Sequence, residues 1–113
     1  MTKVTVLKNN GYITKIEALG HSEFDDYGKD ILCASISTSL QSLALGVIKV
    51  LNIKAKYIVK ENTGYFLLEL PNNLEKSELE QTQLLFNVCV ETLKDIQKGY
   101  PKNISLEVKE DVY

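Results

Sequence analysis

The chain contains one histidine, His21, and two cysteines, Cys33 and Cys89. A thiolate attacks carbonyl carbon, and it works with an imidazole that helps form it and then protonates the leaving amine. With a single histidine the pairing is forced: any nucleophilic thiol here must use His21. Position separates the two thiols. Asp30 stands where a helix N-cap belongs, which predicts Cys33 at N3, in the first turn. Unpaired amide N–H groups and the positive end of the macrodipole favour thiolate there. Those N–H groups, that of Cys33 included, also offer an oxyanion hole. Cys89 falls mid-helix on an apolar stripe and reads as core. The ordinary alternatives stand beside this reading. A histidine after a strand is usually a surface or packing residue, and a helical cysteine is usually a small buried hydrophobe.

The neighbours have two readings each. Asp25, Asp26 and Asp30 can orient the imidazole, but loop solvation for the first two and capping for Asp30 are preferred. Gly28 hinges the loop or permits a turn. Ser37, one turn beyond Cys33, hydrogen-bonds near the site or bonds back to the carbonyl four residues earlier.

The elements that must position these residues follow from periodicity. Val4 and Val6, then Ile16 and Ala18, alternate with polar residues on either side of Asn10-Gly11, a hairpin signal. Strands are predicted over 2–8 and 12–19, the second ending at Gly20-His21, and a loop over 21–29. Ile36, Leu40, Leu43, Val47 and Leu51 then line one face of a helix that stops near Asn52, with Ala44 and Ile48 broadening the stripe. Strands at 55–60 and 65–70 flank Glu61-Asn62-Thr63-Gly64. Ser77 and Glu80 fit a capping box opening a second helix, with Leu79, Phe86, Cys89, Leu93 and Ile96 as its buried stripe. Gly99 and Pro101 end it, and Ile104, Leu106 and Val108 alternate along a last strand. The order is ββαββαβ, which predicts a single α+β domain over 1–113, a mostly antiparallel sheet with two helices packed on it. The two ββα halves hint at duplication, though their residues do not align.

Composition narrows the function classes. The 113 residues are 44% hydrophobic and 25% charged with two prolines, an ordinary globular balance. All 13 basic residues are lysine and the net charge is −2. Without arginine the bidentate contacts to phosphate and guanine are missing, so no direct nucleic-acid binding is expected. No stretch approaches the roughly 20 apolar residues of a membrane span, and no basic segment precedes an apolar one at the N-terminus. A cytoplasmic location and no membrane partner are expected, with both cysteines as separate thiols. Four N/S ligands at zinc spacing are not available, so no metal or cofactor is expected.

At Gly20-His21 and Gly28-Lys29-Asp30-Ile31-Leu32-Cys33-Ala34-Ser35-Ile36-Ser37 the sequence resembles the ribosomal-processing cysteine protease family, Prp or YsxB-like proteins. That family carries Gly-His at the end of its second strand and a Gly-Lys-Asp-Ile-Val-Cys-Ala-Ala-Val-Ser block opening its first helix. Leu32 and Ser35 are the main departures. The match extends through Glu69-Leu70-Pro71 and Gly99-Tyr100-Pro101, essentially the whole chain. The resemblance implies an endopeptidase that removes the N-terminal extension of a bacterial large-subunit ribosomal protein precursor (bL27-type), working as a homodimer. Cys33 would be nucleophile and His21 base and then acid, with Gly20, Gly28, Asp30, Ala34 and Ser37 as supporting or substrate-loop residues. An apolar groove for paired aromatic residues of the cleaved segment would lie near the pair. The alternative is a non-catalytic ribosome-assembly or ribosomal-protein-binding factor. A redox-sensing thiol is a third reading.

Overall fold

The computed structural model describes residues 1–21 and 29–111, and of residues 29 and 30 the backbone alone. Strands β1 (Thr2–Asn9) and β2 (Tyr12–Leu19) form the first hairpin, with Asn9 opposite Tyr12. Asn10 and Gly11 between them have φ of 54° and 84°. Positive φ at both positions is what a type I′ turn needs, and it is why Asn-Gly is found there. The register shifts between Leu7 and Lys8, a bulge that adds local twist.

Helix α1 (Lys29–Leu45) runs on through a π-helical turn, Gly46–Val50. Asn52, at φ 56°, ends it as expected. Strands β3 (Lys56–Lys60) and β4 (Tyr65–Glu69) follow, joined by a 3₁₀ turn at Glu61–Thr63 and by Gly64. Helix α2 (Lys76–Gly99) leads to strand β5 (Ile104–Asp111).

The capping box of α2 is not the predicted Ser77–Glu80 pair. The helix starts at Lys76, and the box is built from Glu75 at the N-cap and Glu78 at N3. Glu75 donates its amide to Glu78 Oε1 at 3.0 Å. A glutamate carboxylate accepts from the same amides that a serine hydroxyl does, so the favoured residue type pointed two residues too late.

The sheet order is β3-β4-β2-β1-β5. Every pairing is antiparallel except β1 with β5, which is parallel. The two hairpins lie side by side through the β2–β4 seam, so the ββα halves are arranged symmetrically while β5 belongs to neither. The core joins alternate strand residues (Val4, Val6, Ile16, Ala18, Phe66, Leu68) to Ile36, Leu40, Leu43 and Val47 of α1 and Phe86, Val90 and Leu93 of α2. Each fully buried side chain of this size contributes about 1.5–3 kcal/mol. Gly46 lets the helices approach: a Cβ there would stand 2.9 Å from Leu85 Cδ1.

One expectation about the first helix fails. Ile31–Val50 is 20 residues long with mean hydropathy 1.7, which by length and composition is enough to cross a membrane. Counting strictly apolar residues misses this, because serine, threonine, glycine and glutamine interrupt the apolar run without adding charge. In this fold part of that apolarity is the core face of α1, while Ser35, Thr38, Gln41 and Ser42 are exposed and so are Ile31, Leu45 and Val50.

Candidate active site

The end of β2 is held by close backbone contacts. Gly20 has φ 97°, and a Cβ there would lie 2.5 Å from the Met1 carbonyl oxygen. Only glycine meets both conditions. Thr2 Oγ1 donates to the Gly20 carbonyl at 3.4 Å. The β3–β4 turn closes on the same point from the other side. Gly64, at φ 64°, would place a Cβ 2.5 Å from the Gly20 carbonyl oxygen and 3.1 Å from His21 Cε1. His21 itself is exposed, and its Nε2 lies 3.5 Å from the Asn62 carbonyl oxygen.

Cys33 is half-buried on α1. The expected N3 position needs correction, because α1 begins at Lys29 and Cys33 is its fifth residue. Asp30 is therefore a helical residue of the first turn and not the N-cap. Aspartate suits both places, since the macrodipole favours an acid inside the first turn as well as before it. The unpaired amides of this helix end are those up to residue 31, and the Cys33 amide falls within the i→i−4 ladder. The Cys33 amide is therefore not available as an oxyanion donor.

His21 and Cys33 open onto one cavity of about 340 Å³. Its apolar wall is Ile36 and Leu40 of α1 with Tyr57, Val59 and Phe66 of the β3–β4 hairpin. Tyr57 and Phe66 meet edge to face, ring centroids 5.7 Å apart. Ser37 and Gln41, on the Cys33 face of α1, add polar groups, as do Lys60 at the end of β3 and Glu61 in the turn. Beside it Tyr65 donates its hydroxyl to Glu17 Oε2 at 2.7 Å. That hydrogen bond, with burial and the charges of Glu17 and Glu69, pushes the Tyr65 phenol up from its ordinary value.

Of the predicted supporting residues, Gly20 and Ser37 line the cavity with the pair. The back-bonding considered for Ser37 falls instead on Ser35 and Ser39, which donate to Ile31 and Ser35 carbonyls at 2.9 and 2.8 Å. Ala34 is exposed and does not line the cavity. Gly28, Asp25 and Asp26 lie outside the described residues. Cys89 is buried in the core, as predicted. Sequence reasoning missed Tyr57, Val59 and Gly64. Their alternation and turn position were visible, but which face meets the site depends on the strand order.

A thiol and an imidazole on one apolar-walled cavity are the equipment of a thiol-dependent hydrolase. The chain belongs to the cysteine protease Prp family, whose sequence profile matches residues 1–105. It is 27% identical over 92 residues to the ribosomal processing cysteine protease Prp of Bacillus subtilis, covering 81% of this chain and 82% of that one. To the Staphylococcus aureus protein of the same name it is 24% identical over 103 residues, covering 91% and 93%. Among solved structures, SMU.848 from Streptococcus mutans superposes with a TM-score of 0.86 at 24% identity, covering 98% of this chain and 96% of that one. The Staphylococcus aureus Prp crystallised with a covalently linked product peptide gives 0.83 at 25% identity, covering 96% and 100%. The fold and the activity class agree: this is an α+β cysteine protease.

Proposed function

We propose that this chain is an endopeptidase that removes the N-terminal extension of a bacterial large-subunit ribosomal protein precursor (bL27-type), with Cys33 as nucleophile and His21 as its base and acid. The observation that carries the reading is the shared cavity of His21 and Cys33. Further support comes from relatives named ribosomal processing cysteine proteases and from the Staphylococcus aureus relative crystallised with a substrate peptide.

In this reading the Cys33 thiol gives its proton to His21 and its sulfur adds to the scissile carbonyl carbon. The C–N bond breaks as His21 returns that proton to the leaving amine, which leaves a thioester on Cys33. Water, deprotonated by His21, then releases the acid and restores the thiol. The wall of Ile36, Leu40, Tyr57, Val59 and Phe66 suits paired aromatic residues of the extension. An acidic, arginine-free chain suits a basic ribosomal protein better than RNA. A homodimer in the cytoplasm, where thiols stay reduced, completes the proposal.

The test is incubation with the precursor and intact-mass measurement for wild type, Cys33→Ala, His21→Ala and Cys89→Ala. Cleavage is expected for wild type and Cys89→Ala alone. Processing by Cys33→Ala overturns the proposal, and so does a wild type that binds the precursor without cutting it. Light scattering on the eluted protein reads the oligomeric state, and a monomeric mass removes the homodimer.

A further inference from the structure

A base that must take a proton from sulfur has to present a nitrogen lone pair to it, and imidazole has only one when neutral. A third group usually decides which nitrogen that is. Among the described residues no carboxylate is hydrogen-bonded to His21; the group near its ring is a main-chain carbonyl, that of Asn62, 3.5 Å from Nε2. A carbonyl only accepts, so the contact is a hydrogen bond when Nε2 carries the proton. The separation is long, as catalytic hydrogen bonds often are without substrate.

The turn that presents this carbonyl is fixed against His21 and Gly20. Gly64 follows the 3₁₀ turn in the left-handed region, and its amide donates to the Glu61 carbonyl at 3.2 Å. Its missing Cβ leaves the space that the Gly20 carbonyl and the edge of the imidazole occupy. β4 in turn pairs with β2 through Ala18 and Phe66, two residues from each glycine. The ring, the turn and the sheet thus form one packed unit.

We infer that the β3–β4 turn is the positioning element for His21: the Asn62 carbonyl holds the proton on Nε2, Gly64 gives the ring its room, and Nδ1 is left as the atom that exchanges a proton with Cys33. This rests on the reading of His21 as base. Asn62 and Gly64 are positioning residues, and neither supplies a reacting atom.

The single histidine makes the test direct, because every imidazole ¹⁵N resonance belongs to His21. In Cys33→Ala, at a pH where the ¹⁵N shifts themselves read a neutral ring, the Nε2–H tautomer is expected well beyond its share in the same chain unfolded in urea. A cross-relaxation contact from His21 Hε1 to a Gly64 α-proton is expected with it. A tautomer ratio equal to the unfolded chain's, or a majority of Nδ1–H, overturns the inference. Gly64→Ala in the Cys33→Ala background should return the ratio toward the unfolded value. In the otherwise wild-type protein it should lower kcat on the order of 100-fold with KM little changed. Gly11→Ala is the control: it has the same left-handed strain (φ 84°) with nothing within 4 Å of the added carbon, and should alter neither readout. Wild-type turnover and an unaltered ratio in Gly64→Ala also overturn the inference. Should Gly64→Ala fail to fold, the tautomer ratio of the Cys33→Ala protein decides alone. Failure of the catalytic reading itself looks different, as full cleavage by His21→Ala whatever the tautomer.

Discussion

Cys89 on α2 donates its thiol to the Ser39 carbonyl of α1 at 3.6 Å, so the second cysteine spans the helix–helix contact inside the core. Burial pushes its thiol up to about 11. At pH 8 iodoacetamide should label Cys33 and leave Cys89 untouched until the chain unfolds, which peptide mass mapping reads. The sign of the stability effect follows. Burial opposes ionisation in the folded state, so the unfolded thiol ionises first as pH rises. Stability due to the neutral Cys89 is intact below about pH 9 and is lost toward pH 11, by on the order of 2–3 kcal/mol. Cys89→Val should lack that part of the alkaline loss of Tm.

Gly20→Ala should cost far more stability than Gly11→Ala, whose added carbon meets nothing within 4 Å. It combines left-handed strain with a 2.5 Å approach to the Met1 carbonyl, which as backbone cannot swing aside. A loss of about 2–3 kcal/mol in urea unfolding is expected. Protein that still folds should cleave poorly, because His21 is the next residue.

The two candidate capping boxes of α2 are separable by unfolding measurements. Glu75→Ala should cost about 1 kcal/mol, the usual value of an N-cap. Ser77→Ala should be near neutral, since Ser77 is exposed and lies inside the helix.

The cavity wall on β3 is testable by polarity. Val59→Asp should lower kcat/KM about 10-fold through KM, consistent with losing apolar contact made equally before and during reaction. Val108→Asp is the matched control. It is 45% exposed against 50% for Val59, but it sits on β5 at the far edge of the sheet. Equal effects from the two would remove Val59 from the substrate wall.

Much of this was legible in the residues because the signals are local. Asn10-Gly11 announces its own turn, and the stripes through Ile36–Val47 and Phe86–Leu93 announce buried helix faces. Cys89 declares itself core by lying on such a stripe. Local reasoning failed where several residue types serve one purpose. Asp30 satisfies a helix start equally well before or inside the first turn, and Glu75 caps as Ser77 does not. It was blind to contacts made by pairing. Nothing in Asn62-Thr63-Gly64 says that this turn meets His21, because the meeting depends on β4 lying beside β2.

The β2–β4 seam has a consequence for when activity can arise. The first hairpin and α1 bring His21 and Cys33 from neighbouring stretches of chain, but the turn against His21 and the β3 wall come from sequence some 40 residues further on. Such distant pairings are the slow ones to form, because loop closure must precede any gain from contact. A newly made chain with only its local hairpins in place has a thiol and an imidazole but no cavity to hold a peptide. The peptide site is therefore complete only once β4 has paired with β2.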